Sequence, residues 1–292
     1  MKYNLEKHVM ENPDLRQSYN KLAEQTFGLN FEKWYQDGYG KSHIPYTLFE
    51  QGKAVSNVSV NLMKVLWQEK VHHYIQLGTV MTDSKYRKQG LSRMLLEEVL
   101  HDWKDKVDGI FLFANDSVLD FYPKFGFKRM EQYQYQRKMQ YNEQKKKQMA
   151  VKLDVDKKED LALLRKCYEK GNPFSKLQVI QGFDLLMFYC GSFLKDCIYY
   201  VKEQEAVVIA EQEDNTLYLL DVFCEKNKDL QEILTAITTE KTNEIVFKFT
   251  PIKYHDCEVA RVEDDNDALF VLEGKENIFS EENLMFPEIA HT

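Results

Sequence analysis

"QLGTVMTDSKYRKQGLSRMLLEEVL", residues 76–100, holds the transition on which the fold turns: a strand, a short charged loop and the start of a helix. The spacing predicts a helix from about Leu91 to Lys104, with Leu91, Met94, Leu95, Val99 and Trp103 on its apolar face. Just before it stand Arg87, Lys88 and Gly90. Free N–H groups at a helix start point outward, and together with the helix dipole they attract anions. Gly90 lets a phosphate approach the backbone with no Cβ in the way, and Ser92 is small enough to keep that approach open. The loop is a candidate pyrophosphate cradle, although it lacks both the glycine-lysine-serine/threonine ending of a P-loop and the GxGxxG of a dinucleotide fold. Taken alone, the loop reads better as a turn with solvated cations.

The bulk of the chain bounds the alternatives. Its 292 residues suit one large domain or two ordinary ones, and 43% hydrophobic with 29% charged residues describes a folded protein. The net charge of −8 argues against general binding to nucleic acid or anionic membranes. "MKYNLEKHVMENPDL" has no signal-peptide core, and no apolar run approaches membrane-spanning length. Cys167, Cys190, Cys197, Cys224 and Cys257 form no CxxC and are expected to be reduced, mostly buried thiols of a cytoplasmic protein; no metal site is expected, because ligand spacings are missing.

Around the opening stretch, residues 16–37 read as helix. Residues 45–82 alternate like antiparallel strands, with turns at Gln51-Gly52 and at Gln68 to Lys70. "GIFLFAN" reads as a buried strand ending at Asn115, "DSVLDFYPKFGF" as a short helix and a turn at Gly126, and "QYQYQRKM" as a last strand. "EQKKKQ" at 143–148 reads as solvated linker. The second half repeats the order: a strand from Met149 to Leu153, a helix from Lys158 to Glu169 stopped by Gly171, strands at 185–190, 197–202, 206–212 and 216–224 with a turn at Asp214-Asn215, a helix from Asp229 to Thr239, and strands at 245–250 and 268–273. "VEDDND" at 262–267 lacks EF-hand spacing and reads as a solvated acidic loop.

With two motifs in register, the first half resembles the GCN5-related N-acetyltransferase (GNAT) superfamily. Arg87-Lys88-Gln89-Gly90-Leu91-Ser92 is similar to its R/Q-x-x-G-x-G/A loop, with serine at the last position, and "FANDSVLDFYPKFGF" resembles its second motif. The pairing of halves resembles tandem-GNAT proteins of the enhanced-intracellular-survival type, without that type's sterol-carrier-like domain. The resemblance implies an α+β fold of two tandem GNAT-like domains, each a mixed, mostly antiparallel sheet flanked by helices: an acetyl-CoA-binding domain over 1–140 and a degenerate one over 141–292. It implies that backbone groups of the Val80, Met81 and Thr82 strand hold the pantetheine arm, with the Val80 N–H on the thioester carbonyl. Arg87 and the N–H groups of Lys88, Gln89, Gly90, Leu91 and Ser92 would hold the pyrophosphate. Asn115 would reach the cofactor arm, and Tyr122, as a phenol near the sulfur, would be the candidate acid. Tyr122 could equally pack as a core aromatic beside Phe121 and Phe125.

The base stays open. Gln76 and Thr82 are not bases; His72 and His73, Asp83, Glu32 or a water chain are candidates. The apolar tail "LMFPEIAHT" would ordinarily fray; docked at the domain interface, it would bring His291 or the Thr292 carboxylate to the site, as the resemblance implies for a terminal carboxylate. Trp34-Tyr35 and Gly38-Tyr39-Gly40 read as a substrate lip or as a helix end and loop. "FCEKNKDLQEIL", the counterpart of the cradle in the second half, has no glycine and carries Glu225 and Asp229, so one CoA site per chain is expected. The expected activity is acetyl-CoA-dependent acetylation of a primary amine on a small molecule or peptide. A non-catalytic acyl-CoA sensor and transfer of another acyl group are the alternatives, and the oligomeric state, a homo-oligomer included, stays open.

Overall fold

A computed structural model describes residues 2–139 and 149–292 of the chain. The expected linker at 143–148 and the expected domain boundary at 140/141 lie outside the described residues. In chain order come β1 (Asn4–Glu6), α1 (Pro13–Phe27), α2 (Glu32–Gln36), β2 (His43–Glu50), β3 (Lys53–Trp67), β4 (Lys70–Thr82), α3 (Leu91–Trp103), β5 (Gly109–Ala114), β6 (Phe127–Arg129) and β7 (Tyr133–Lys138). They are followed by β8 (Val151–Lys152), α4 (Lys158–Tyr168), β9 (Leu177–Gln181), α5 (Phe183–Cys190), β10 (Ile198–Val201), β11 (Ala206–Glu213), β12 (Thr216–Phe223), α6 (Leu230–Ile237), β13 (Glu244–Phe247), β14 (Glu258–Arg261) and β15 (Ala268–Leu272).

Local chemistry sets most of the boundaries. Asn12 caps α1 by accepting from the N–H groups of Asp14 and Leu15, and Pro13 fits the first turn, where no N–H is needed. Gly28, at φ 71°, ends the helix, so the expected helix over 16–37 is two helices. Gln51 and Gly52, and Gln68 and Glu69, all take positive φ, as two-residue hairpin turns require. Helix α3 buries Leu91, Leu95, Leu96 and Val99. Met94, expected on that face, is 45% exposed, and Leu96 takes its place in the core. Residues 185–190, expected as a strand, lie in helix α5: a short apolar run has no period of its own, and here both sides are covered, Leu186, Met187 and Cys190 by the core around Leu164, Ile198 and Ile209 and Phe188 by Phe31.

The described residues form two sheets. The first runs β1-β2-β3-β4-β5-β15-β6, with β9 also paired to β3; the second runs β14-β7-β13-β12-β11-β10-β8. Both contain the same unit, an antiparallel pair followed by a parallel crossover through a helix: β3–β4–α3–β5 and β11–β12–α6–β13. The sheets do not divide at residue 140. Strand β7 of the first half pairs with β13 and β14 in the second sheet, while β9 and β15 of the second half complete the first. Against the first sheet, Phe111, Leu177, Leu269, Phe286 and Ala290 share one core, each large apolar side chain there worth about 1.5–3 kcal/mol of burial. That core carries the tail 284–292 across the first sheet.

Candidate functional site

Strands β4 and β5 pair in parallel only from Tyr74 opposite Gly109 to Leu77 opposite Leu112. Beyond that point β4 bulges: its register against β3 shifts between Asn57 and Ser59, and Thr79 sits at φ 47°. A β-branched residue at positive φ is strained, by on the order of 1–2 kcal/mol. The bulge turns β4 away from β5. A cleft of about 530 Å³ opens there, with Gly78–Thr82 on one wall and Phe113–Asn115 on the other.

Helix α3 starts at the edge of this cleft. Gly90 takes φ 79° and Lys88 φ 63°, and no side chain caps the first turn. A Cβ at Gly90 would meet nothing within 4 Å, so the space in front of the turn is open. Arg87 and Ser92 line the cleft, with the Arg87 Nε donating to the Thr82 carbonyl at 3.3 Å. Ser92, the departure from the Gly/Ala pattern, has a structural use: its Oγ bonds Thr82 Oγ1 at 2.8 Å, which bonds Ser56 Oγ at 2.8 Å, tying the helix start to the sheet. Gln89 is held by the Tyr3 hydroxyl at 2.8 Å. The side chain of Leu91 points into the core, and so does that of Met81, against Tyr19 and Phe49; Met81 offers the cleft its backbone.

On the far wall, Asn115 Oδ1 is occupied by the N–H and hydroxyl of Ser117 at 3.1 and 2.6 Å, which leaves its Nδ2 for the cleft. Tyr122 reaches the cleft while its ring packs edge-on against Phe121 and Phe127, so it is both a core aromatic and a wall of the site. Burial pushes its phenol well above the ordinary tyrosine range, which keeps it protonated.

The tail does not fray. His291 Nδ1 lies 2.8 Å from Asp267 Oδ2, its ring stacks on Phe113 at 3.6 Å, and its carbonyl accepts from the Tyr189 hydroxyl at 2.9 Å. Thr292 therefore lines the cleft against Gly78, where a Cβ would come within 2.9 Å of the Thr292 Cβ. Of the side-chain bases considered in the sequence, His291 stands behind Phe113 of the cleft wall, and the others are elsewhere. His72 bonds Glu276 at 2.6 Å, six residues before Gly78 and so about 20 Å along the strand. His73 is beside Asp108, Asp83 holds Lys53 at 2.5 Å, and Glu32 holds Arg16 at 2.8 Å. Among the described residues that line the cleft there is no aspartate, glutamate or histidine. Trp34 and Gly40 do not line it either: the Trp34 indole donates to the Asp184 carbonyl and the Gly40 N–H to the Asp184 carboxylate, joining the halves. Sequence reasoning missed Asn57, whose amide bonds inside the bulge, because a buried asparagine on a strand carries no motif.

Among the described residues, the matching place in the second half is occupied by another segment. Past Leu219 opposite Phe247, where β12 and β13 stop pairing, residues 171–176 fill the gap. Asn172 Nδ2 donates to Asp221 at 2.6 Å, Lys176 N to the Thr250 carbonyl at 2.8 Å, and Ile252 N to the Phe174 carbonyl at 2.8 Å. At the start of α6, Asp229 accepts from the N–H groups of Gln231 and Glu232 and uses up the donors that α3 leaves free.

Residues 12–130 match the family described as acetyltransferase (GNAT) domain. No curated protein matches the sequence. Among solved structures, the chain is similar to a probable N-acyltransferase from Enterococcus faecalis, at 14% identity and TM-score 0.61 over 93% of this chain and 72% of that one. It is also similar to Eis1 from Mycobacterium abscessus, at 13% identity and TM-score 0.56 over 91% and 72%. A putative acetyltransferase from Pyrococcus horikoshii, at 12% identity and TM-score 0.53, covers 100% of this chain and 96% of its own.

Proposed function

We propose, on the match of residues 12–130 to the acetyltransferase (GNAT) family, that the chain is an acyltransferase that moves an acetyl group from acetyl-CoA to a primary amine of a small molecule or peptide. The observation that carries this reading is one cleft shared by the bulged strand, the uncapped start of α3, Tyr122 and Thr292. The pyrophosphate lies at the N–H groups from Lys88 to Ser92 beside Arg87. The pantetheine arm takes the place of the missing strand pairing between Gly78–Thr82 and Phe113–Asn115.

A neutral amine attacks the thioester carbonyl and forms the C–N bond. The oxygen that gains charge is held by the Val80 N–H. The C–S bond then breaks, and the leaving thiolate takes the Tyr122 proton. Where Thr292 ends the chain, its carboxylate accepts the proton released by the amine. The products are an amide and free coenzyme A. A cleft wall with no acidic or histidine side chain favours the second reading, a protein that binds acyl-CoA without turning it over.

Calorimetry with acetyl-CoA tests the proposal, with thioester cleavage followed over a panel of amines. One site per chain in the wild type and loss of binding in Gly90→Glu are expected, since the new carboxylate would stand where the phosphates bind. Saturable binding with no cleavage on any amine selects the second reading. No binding overturns both.

A further inference from the structure

We propose that Asn57 is a positioning residue for the acyl-transfer step: it fixes the peptide plane between Thr79 and Val80 so that the Val80 N–H faces the cleft. This rests on the reading above, in which that N–H meets the thioester oxygen. Asn57 is fully buried on β3, opposite the bulge. Its amide is saturated. Nδ2 donates to the Thr79 carbonyl at 2.9 Å and to Ser59 Oγ at 2.9 Å, and Oδ1 accepts from Thr47 Oγ1 at 2.7 Å. These partners fix which end of the amide faces Thr79: Nδ2 must, because a carbonyl accepts only.

The consequence follows from peptide geometry. In a trans peptide the C=O of one residue and the N–H of the next point in opposite directions, and the chain has no cis peptide bond among the described residues. Asn57 draws the Thr79 carbonyl toward β3, so the Val80 N–H is turned away from β3, toward the β5 wall of the cleft. Thr79 pays for this with its positive φ, a conformation that persists only where neighbours over-determine it. The Tyr19 hydroxyl, 3.4 Å from Ser59 Oγ and 3.1 Å from His43 Nε2, and the His43–Asn61 bond at 2.7 Å extend the buried polar chain behind Asn57. The unit is therefore braced from α1 through β3 to the bulge.

The test needs no acceptor. Carbonyl-labelled acetyl-CoA is bound to the full chain and its thioester stretch is read by isotope-edited infrared difference spectroscopy, with CoA affinity measured alongside. In the wild type the bound carbonyl should move to lower frequency than in free acetyl-CoA. In Asn57→Leu, which keeps the size but offers Thr79 no donor, the frequency should return toward the free value, while the CoA dissociation constant stays within about threefold, because the phosphate cradle is untouched. Thr47→Val loosens the same amide without altering it and should give a partial return, which covers a Leu variant that fails to fold. An unchanged bound frequency in both variants, or in Thr47→Val if it alone folds, overturns the proposal with the acetyl-CoA reading intact. Binding without any wild-type shift overturns the Val80 assignment and the proposal together. Absence of binding brings down the underlying reading itself.

Discussion

Tyr122 and His43 are both buried, yet their burial has different consequences. The phenol of Tyr122 lines the cleft and is held protonated by its surroundings. Tyr122→Phe should leave acetyl-CoA binding unchanged and lower turnover by about 10²- to 10⁴-fold, the usual worth of a positioned acid. The pH–rate profile should show no alkaline limb from this group. Unchanged turnover in the variant removes Tyr122 from the chemistry. His43 is stacked on Phe31, and burial pushes its imidazole down to about 4 from 6.5. Between those values the unfolded chain binds a proton that the folded chain does not. Folded stability is therefore full above pH 6.5 and falls as the pH drops toward 4, by roughly 3 kcal/mol. Denaturant titrations across that window should show the loss in the wild type and a flatter profile in His43→Gln. At this scale the sequence was most legible where chemistry has a short signature. Gly90 and Arg87 stand out in the sequence as a turn and a cation before a helix, and only the family resemblance gives them a role. Asn57 does not stand out, because its partners are Thr47, Ser59 and Thr79 on three segments that meet only in the sheet.

The element that most changes the site is the tail from Leu284 to Thr292, held by the His291–Asp267 pair, the stack on Phe113 and the Tyr189 bond. Gly78 is the point where it meets β4, and there is no room for a methyl group between them. Gly78→Ala should displace Thr292 from the cleft, with acetyl-CoA still bound and amine acetylation reduced. Equal turnover in a folded variant would exclude the tail from the reaction, and deletion of residues 290–292 gives an independent check. Helix α3 was legible in position but not fully in orientation. The period marked Met94 for the core, and the sheet took Leu96 instead, because a helix of this length offers two adjacent apolar rows and packing selects between them. Helix α5 was misread as a strand for the related reason that a continuous apolar run carries no face at all.

At the scale of the whole molecule, three strands among the described residues cross between the halves. With β15 between β5 and β6, the first sheet is incomplete without residues 268–272, and with β7 between β13 and β14 the second is incomplete without 133–138. The two halves should therefore unfold as one unit. Calorimetry is expected to give a single transition whose van't Hoff and calorimetric enthalpies agree, and a fragment of residues 1–139 should not fold alone. Two separate transitions would show that the exchanged strands couple the sheets only weakly.

The sequence by itself determined the local devices: the turns at Gln51-Gly52 and Gln68-Glu69, the stops at Gly126 and Gly171, the start of α3, and the repeat of strand, helix and strand in each half. Each depends on backbone preference or on a period within a few residues. Only the tertiary structure decided which sheet each strand joins, that residues 171–176 fill the second cleft, and that Thr292 lies against Gly78. Those outcomes depend on hydrogen-bond partners and apolar surfaces contributed by segments far apart in the chain. A strand's own residues state that it will pair, but the partner is chosen by whichever edge remains open when the sheets assemble.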